Sequence, residues 1–179
     1  MKAEDLKKRI ERYIKKEQLT KREEFTKLKN SFLQKSRKNF TVANLQFKIS
    51  EDDEIKNVLA LPKNFETYEW TIIVSYYAMY ISALAALASI KFKSKSHAAT
   101  ICVLRHYFVN KHKDLKPKHI EILTKAEILS SNLISKLTRT KTRREVAQYE
   151  ATPEISRINA IDALKDAEEF ITKIEEIIS

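Results

Sequence analysis

Not one glycine occurs among the 179 residues of this chain, and that absence limits its folds more than any motif it contains. Glycine supplies the positive φ angles of tight hairpins without steric cost. A chain that lacks it, and has only three prolines to punctuate turns, is predicted to be built from helices. The same absence removes every glycine-rich phosphate cradle, so neither a P-loop nor a dinucleotide-binding fingerprint can be written. The length suits one domain with a real hydrophobic core.

Apolar residues spaced three and four apart mark the helices. Ala3, Leu6, Ile10 and Ile14 form the first stripe. Thr20 followed by Glu23 has the spacing of a capping box, which marks a second helix start or an accident within a longer helix. Phe25, Leu28, Phe32, Ser36, Phe40 and Ala43 continue the spacing and predict a long second helix, with its phenylalanines as core and not as base-stacking platforms. The acidic run from Ser50 to Glu54 is placed to cap a short helix up to Leu61, ahead of Pro62. A central helix is predicted from about Phe65 to Ile90. Ser94 or Ser96 can cap the next, whose face carries His97, Ile101, Leu104 and Phe108. Another starts near Pro117 and reaches toward Tyr149, and Thr152 with Pro153 opens the last. The predicted fold is all-α, a bundle of roughly four to five core helices. Residues 51–179 form that bundle, and residues 1–50 form an N-terminal helical extension packed on it.

The stretch from Trp70 to Ile90 is long enough to raise a transmembrane reading. Hydroxyls at Ser75, Tyr76, Tyr77, Tyr80 and Ser82, and charges flanking both ends, point instead to a central helix buried by amphipathic neighbours. The one cysteine, Cys102, cannot form an internal disulfide and reads as a small buried hydrophobe. With no apolar leader pattern at the N-terminus, a reducing, cytoplasmic compartment is expected, without a membrane partner. Richness in Lys, Glu and Ile with little Cys or Met resembles a thermophile's composition.

Charge alternates along the chain. Residues 1–50 carry a net +9 and residues 91–144 a net +11, whereas residues 51–90 carry −4 and residues 145–179 carry −6. Two origins are open: acidic helices pairing with basic ones, or a basic surface for a phosphate backbone, whose binding would be steeply salt-dependent.

Histidine spacing excludes the simplest metal sites. His97, His106, His112 and His119 stand nine, six and seven apart, not the three or four that sets two ligands on one helix face, so neither metal nor other cofactor is expected. The segment Ser75-Tyr-Tyr-Ala-Met-Tyr80 places hydroxyls on neighbouring sides of an apolar helix. A buried tyrosine hydroxyl needs a partner, so these residues either brace one helix against another or line a pocket.

Three elements taken in order, "FETYEWTIIVSYYAMYISALAALASI", "KSKSHAATICVLRHYFV" and "RREVAQYEATPEISRINAIDALKDAEEFITKIEEII", resemble the HEPN family (higher eukaryotes and prokaryotes nucleotide-binding) over about residues 62–178. The nearest branch is similar in its Ser-Tyr-Tyr-Ala-Met signature, a Ser-His pair after the central helix, and an Arg-x-x-Ala-Asp-Tyr element before the last helix. The resemblance implies a helical bundle that usually forms a homodimer. Many members are metal-independent endoribonucleases acting as toxins or defence effectors, with an Arg and a His, four to six residues further on, contributed by each subunit. Others bind nucleotide or RNA without catalysis, or pair with a nucleotidyltransferase.

Carried onto this chain, Arg144, Ala147 and Tyr149 match the arginine element, with Gln148 where the branch has Asp. No histidine follows Arg143 or Arg144 at the ribonuclease spacing; Tyr149 stands five after Arg144. Metal-free RNA cleavage needs a base for the 2′-hydroxyl proton, and a tyrosine titrating near pH 10 is poorly suited, whereas arginines bind phosphate well. On an ideal helix Arg144 and Tyr149 lie about 140° apart, so a packing role for both is open too. The resulting expectation is a non-catalytic nucleotide- or RNA-binding module with Arg143, Arg144 and Tyr149 at the site and Tyr76, Tyr77 and His97 as pocket walls. The resemblance implies a nucleotidyltransferase, or another toxin-antitoxin or defence component, as partner, with Tyr149 as a candidate acceptor for adenylylation. Two alternatives carry different expectations: a ribonuclease recruiting His97 or His106 from another helix or subunit, and a helical scaffold whose charges serve only dimerisation.

Overall fold

A computed structural model describes the backbone of residues 3–143 and 156–179, and the side chains of residues 4–135 and 156–179. Seven α-helices fill the described residues: α1 (Ala3–Lys15), α2 (Lys29–Glu51), α3 (Asp53–Val58), α4 (Tyr68–Ser89), α5 (His97–Leu104), α6 (Pro117–Arg143) and α7 (Arg157–Ile178). Two three-residue strands, β1 (Leu19–Lys21) and β2 (Phe92–Ser94), pair antiparallel. A 3₁₀ turn, Glu23–Leu28, precedes α2, and a π-helical turn, Arg105–Lys111, continues α5.

The apolar stretch at 70–90 is the molecule's axis. Helix α4 is long and apolar enough to cross a bilayer, and here it is the core, packed against α2, α7, α6, α5 and β2. Ala78, Ala83, Ala85, Ala86 and Ala88 are fully buried. Small side chains let neighbouring backbones approach closely, and the Ser36 hydroxyl of α2 donates to the Ala78 carbonyl at 2.8 Å. Helix α7 closes the other side with Phe170, Ile171 and Ile174, all fully buried.

Polar contacts fix the long helices at both ends. Arg37 on α2 makes a two-pronged pair with Glu175 on α7. At the other end Glu51 accepts from the Tyr68 hydroxyl at 2.6 Å and from Arg157 Nε at 2.5 Å, while the Arg157 guanidinium lies over the Phe47 ring. The hydrogen bond from Tyr68 holds the Glu51 carboxyl below the usual carboxylate range. Burial and Glu51 together push the Tyr68 phenol up to about 12.

Local signals act mostly as their chemistry dictates. Asp52 caps α3 by accepting from the Glu54 and Ile55 amides, and Ser96 caps α5 by accepting from Ala99. The Thr20–Glu23 spacing, by contrast, makes no cap. Thr20 lies in β1 opposite Lys93, and the residues that follow it, Lys21 and Arg22, stay extended where a helix would have to begin. Glu23 instead begins the 3₁₀ turn, and α2 starts only at Lys29. Phe32 and Phe40 pack on the core, whereas Phe25 sits in that turn, half-buried beneath the Lys93 ammonium.

With no glycine available, positive φ falls on Glu17, Ala60, Lys91 and Lys113 among the described residues. Each stands within two residues of the end of a helix or helical turn, where the left-handed conformation that favours glycine terminates helical hydrogen bonding.

Candidate functional site

The Ser-Tyr-Tyr-Ala-Met segment and the Ser-His pair meet where α4 passes the start of α5. Because Ser96 caps α5, His97 is its first residue and its ring is held against the middle of α4. The His97 and Tyr80 rings stack nearly parallel, with centroids 4.0 Å apart, and Tyr76 lies beside both at 5.7 and 6.2 Å. Tyr77 completes a four-ring cluster, 5.4 Å from Tyr76.

The cluster has a buried side and an open one. Tyr76 is fully buried, and its hydroxyl forms a short hydrogen bond with His97 Nδ1. Burial, reinforced by the negative charge of Glu127, raises the Tyr76 phenol far above its ordinary pKa. The phenol therefore keeps its proton and can donate it to the ring nitrogen. Burial also raises the Tyr80 phenol, against a hydrogen bond with Thr100. Tyr77 and His97 form the open side, each about 40% exposed, and Glu127 Oε1 lies 3.8 Å from His97 Nδ1.

Glu127 also lines a shallow cleft of about 200 Å³ between α1, α5 and α6, together with Arg9, Arg105, Thr124 and Cys102. A carboxylate acceptor, two guanidinium groups and a half-open ring edge are thus neighbours. The donor set can receive ribose or base N–H and O–H groups at Glu127 and phosphate at the arginines.

The structure brings Tyr76, Tyr77 and His97 into one cluster. Arg143 ends α6 with its side chain outside the described residues, and Arg144, Tyr149, Thr152 and Pro153 also lie outside them. Tyr80 was legible as the partner of Tyr76 one helical turn away. Glu127, Arg9 and Arg105 had no local signal, because only tertiary packing collects them. Of the other histidines, His106 meets the Tyr107 ring edge-on. His119 is buried, with Nδ1 accepting from the Lys116 amide.

Charge is layered as well. The β1–β2 pairing and the packing of α1 on α5 join the N-terminal basic segment to the one that follows α4. Residues 1–22 and 91–116 together hold sixteen basic and five acidic side chains, more than the whole net +10 of the chain.

A family model described as the HEPN domain matches residues 32–177, which takes in α2 through α7. The chain belongs to the HEPN family. No curated protein matches it. The match begins inside α2, the helix that packs along α4. As a HEPN domain the protein is a nucleotide- or RNA-related module, and the aromatic cluster lies wholly within the matched region.

Proposed function

We propose that this HEPN protein binds nucleotide or RNA without cleaving it, and serves as the binding partner of a nucleotidyltransferase or another toxin-antitoxin or defence component. The observation that carries the reading is the four-ring cluster whose Tyr77 and His97 edges open to solvent beside a cleft holding Arg9, Arg105 and Glu127. The exposed Tyr77 ring can stack a base without regard to sequence, the open His97 edge can hydrogen-bond one, and arginines take phosphates. His97, locked at Nδ1 by Tyr76 and stacked on Tyr80, is supported as a wall and not as a mobile base. Arg143 and Arg144 are the further phosphate contacts, and Tyr149 the candidate acceptor for a transferred nucleotidyl group.

A homodimer belongs to the same reading. Trp70, near the start of α4 and outside the aromatic cluster, is 50% exposed, a large apolar side chain that supports self-association there.

The deciding experiment incubates the protein with a mixed RNA pool in EDTA, beside an Arg143→Ala/Arg144→Ala variant. Intact RNA, retained in a salt-dependent and arginine-dependent way, is the expected result. Fragments with 2′,3′-cyclic phosphate ends, absent with the variant, would make the protein a ribonuclease and overturn the reading. Intact RNA with no retention would leave a dimerisation scaffold.

A further inference from the structure

The two strands carry a feature the aromatic site does not use. Their register pairs Leu19 with Ser94, Thr20 with Lys93 and Lys21 with Phe92. Backbone bonds extend it at both ends, from the Lys95 amide to the Gln18 carbonyl and from the Arg22 amide to the Lys91 carbonyl, each 2.9 Å. Side chains alternate faces along a strand. Leu19 and Phe92, both buried, therefore define the inner face, and Thr20, Arg22, Lys93 and Lys95 share the outer one. The run Lys-Phe-Lys-Ser-Lys at 91–95 thus sets Lys93 and Lys95 on one side of the ribbon, while Lys91, in the left-handed conformation just before β2, pairs with Glu23 at 2.6 Å. Lys93 and Lys95 are exposed, and Phe25 lies 5.7 Å beneath the Lys93 ammonium with its ring half-buried.

We infer that the outer face of this β-ribbon is a docking track for single-stranded RNA. Lysines two residues apart on a strand are separated by about 6.6 Å, comparable to the distance between successive phosphates along an extended single strand. Phe25 supplies an aromatic surface beside these lysines, the combination of basic groove and stacking ring by which sequence-tolerant single-strand binders work. Exposed cations also precede the ribbon along the chain, Arg12 and Lys15 on α1 and Lys16 just after it, on the segment that leads into β1. Lysines on a short ribbon also discourage edge-to-edge pairing. That role alone would leave RNA affinity untouched when they are neutralised, which makes the two accounts separable.

The inference rests on the proposed function in one respect, that RNA is the ligand. Its test measures binding of a labelled oligouridylate by fluorescence anisotropy over a series of salt concentrations. The proteins compared are the wild type, Lys93→Gln/Lys95→Gln, and a control pair on α6 and α7, Lys125→Gln/Lys165→Gln, that removes equal charge elsewhere. Single-strand contacts contribute about 0.7 each to the slope of log affinity against log salt. Losing two should reduce the slope by about 1.4 and weaken binding about 25-fold at 0.1 M salt. The control should keep most of its affinity, and Phe25→Leu should weaken binding without changing the slope. A ribbon variant matching the wild type, or a control falling as far, would overturn the track. So would binding of phosphatidylserine vesicles with no binding of RNA. If the ribbon variant is neutral while Arg143→Ala/Arg144→Ala abolishes retention, the track alone fails. If the reverse holds, the arginine site fails and the track stands.

Discussion

The contact between Tyr76 and His97 decides whether the aromatic cluster is held as one unit, and its energetics can be worked from the two environments. Removing the hydroxyl in Tyr76→Phe leaves no buried donor behind, and the half-exposed His97 can take a water at Nδ1. The cost should be that of one neutral hydrogen bond, about 1 kcal/mol. Removing the ring in His97→Ala is harsher. It strands the buried phenol, a penalty of about 1–3 kcal/mol, and it removes the 4.0 Å stack on Tyr80, worth about 0.5–1.5 kcal/mol. In the double variant the phenol is gone, so its stranding penalty disappears. The double variant should therefore be more stable than the sum of the singles by about 1–3 kcal/mol, the stranding penalty itself, which equilibrium urea unfolding resolves. Additivity within about 0.3 kcal/mol would refute the hydrogen bond. The binding assay then separates brace from wall: a ligand that touches the open His97 edge loses affinity in His97→Ala but not in Tyr76→Phe.

Other expectations follow from single contacts. Ala60, in the left-handed conformation, should gain up to about 1 kcal/mol as Ala60→Gly, the relief of about 1–2 kcal/mol of steric cost less the entropy glycine loses on folding. Lys91→Gly should gain less, because it also deletes the 2.6 Å ion pair to Glu23; equal gains in thermal unfolding would refute this difference. Burial lowers the pKa of His119, outweighing the nearby Glu169. The unfolded chain then takes up the proton first, so stability should fall as pH drops below about 6.5. His119→Asn, whose side-chain oxygen can still accept from the Lys116 amide, should flatten the loss between about pH 6.5 and 5.5, and an unchanged pH profile would count against the buried neutral ring. Cys102, a buried thiol whose pKa is pushed up, lies 3.7 Å from the Leu6 carbonyl. Its reaction with a disulfide reagent should be far slower in the native protein than in the urea-unfolded chain; equal rates would contradict it.

Helices were legible wherever periodicity ran long. The central helix and the Asp52 and Ser96 caps follow from the spacing of apolar and capping residues, because those interactions are local. The Thr20–Glu23 spacing misled for a physical reason. A capping box needs a helix to follow it, and here Leu19 and Phe92 draw the segment into a strand pair whose stabilisation comes from burial against α1, α4 and α5. Ser75 to Tyr80 suggested a brace or a wall, and the geometry contains both: Tyr76 buried and bonded, Tyr77 open. Nothing local could announce Glu127, which reaches His97 from a helix thirty residues further on.

The ribbon lies at the edge of what sequence reasoning can reach. Lys-Phe-Lys-Ser-Lys alternates with the strand period, and so does Leu-Thr-Lys at 19–21. Over three to five residues, however, alternation is too short to outweigh the expectation that a glycine-free chain avoids hairpins. That expectation holds for sequential hairpins, where two turn residues must take positive φ. It does not reach this pair, whose strands are separated by all of α2, α3 and α4 and need no tight turn between them. One left-handed residue, Lys91, is enough to turn the chain from α4 into β2, with its amide bonded to the Ala88 carbonyl and its own carbonyl accepting from Arg22. The absence of glycine therefore forbids less than it first suggests. It selects against hairpins while permitting the long-range strand pair that joins the two basic segments, and it is this joining that turns two solvated charge runs into one surface.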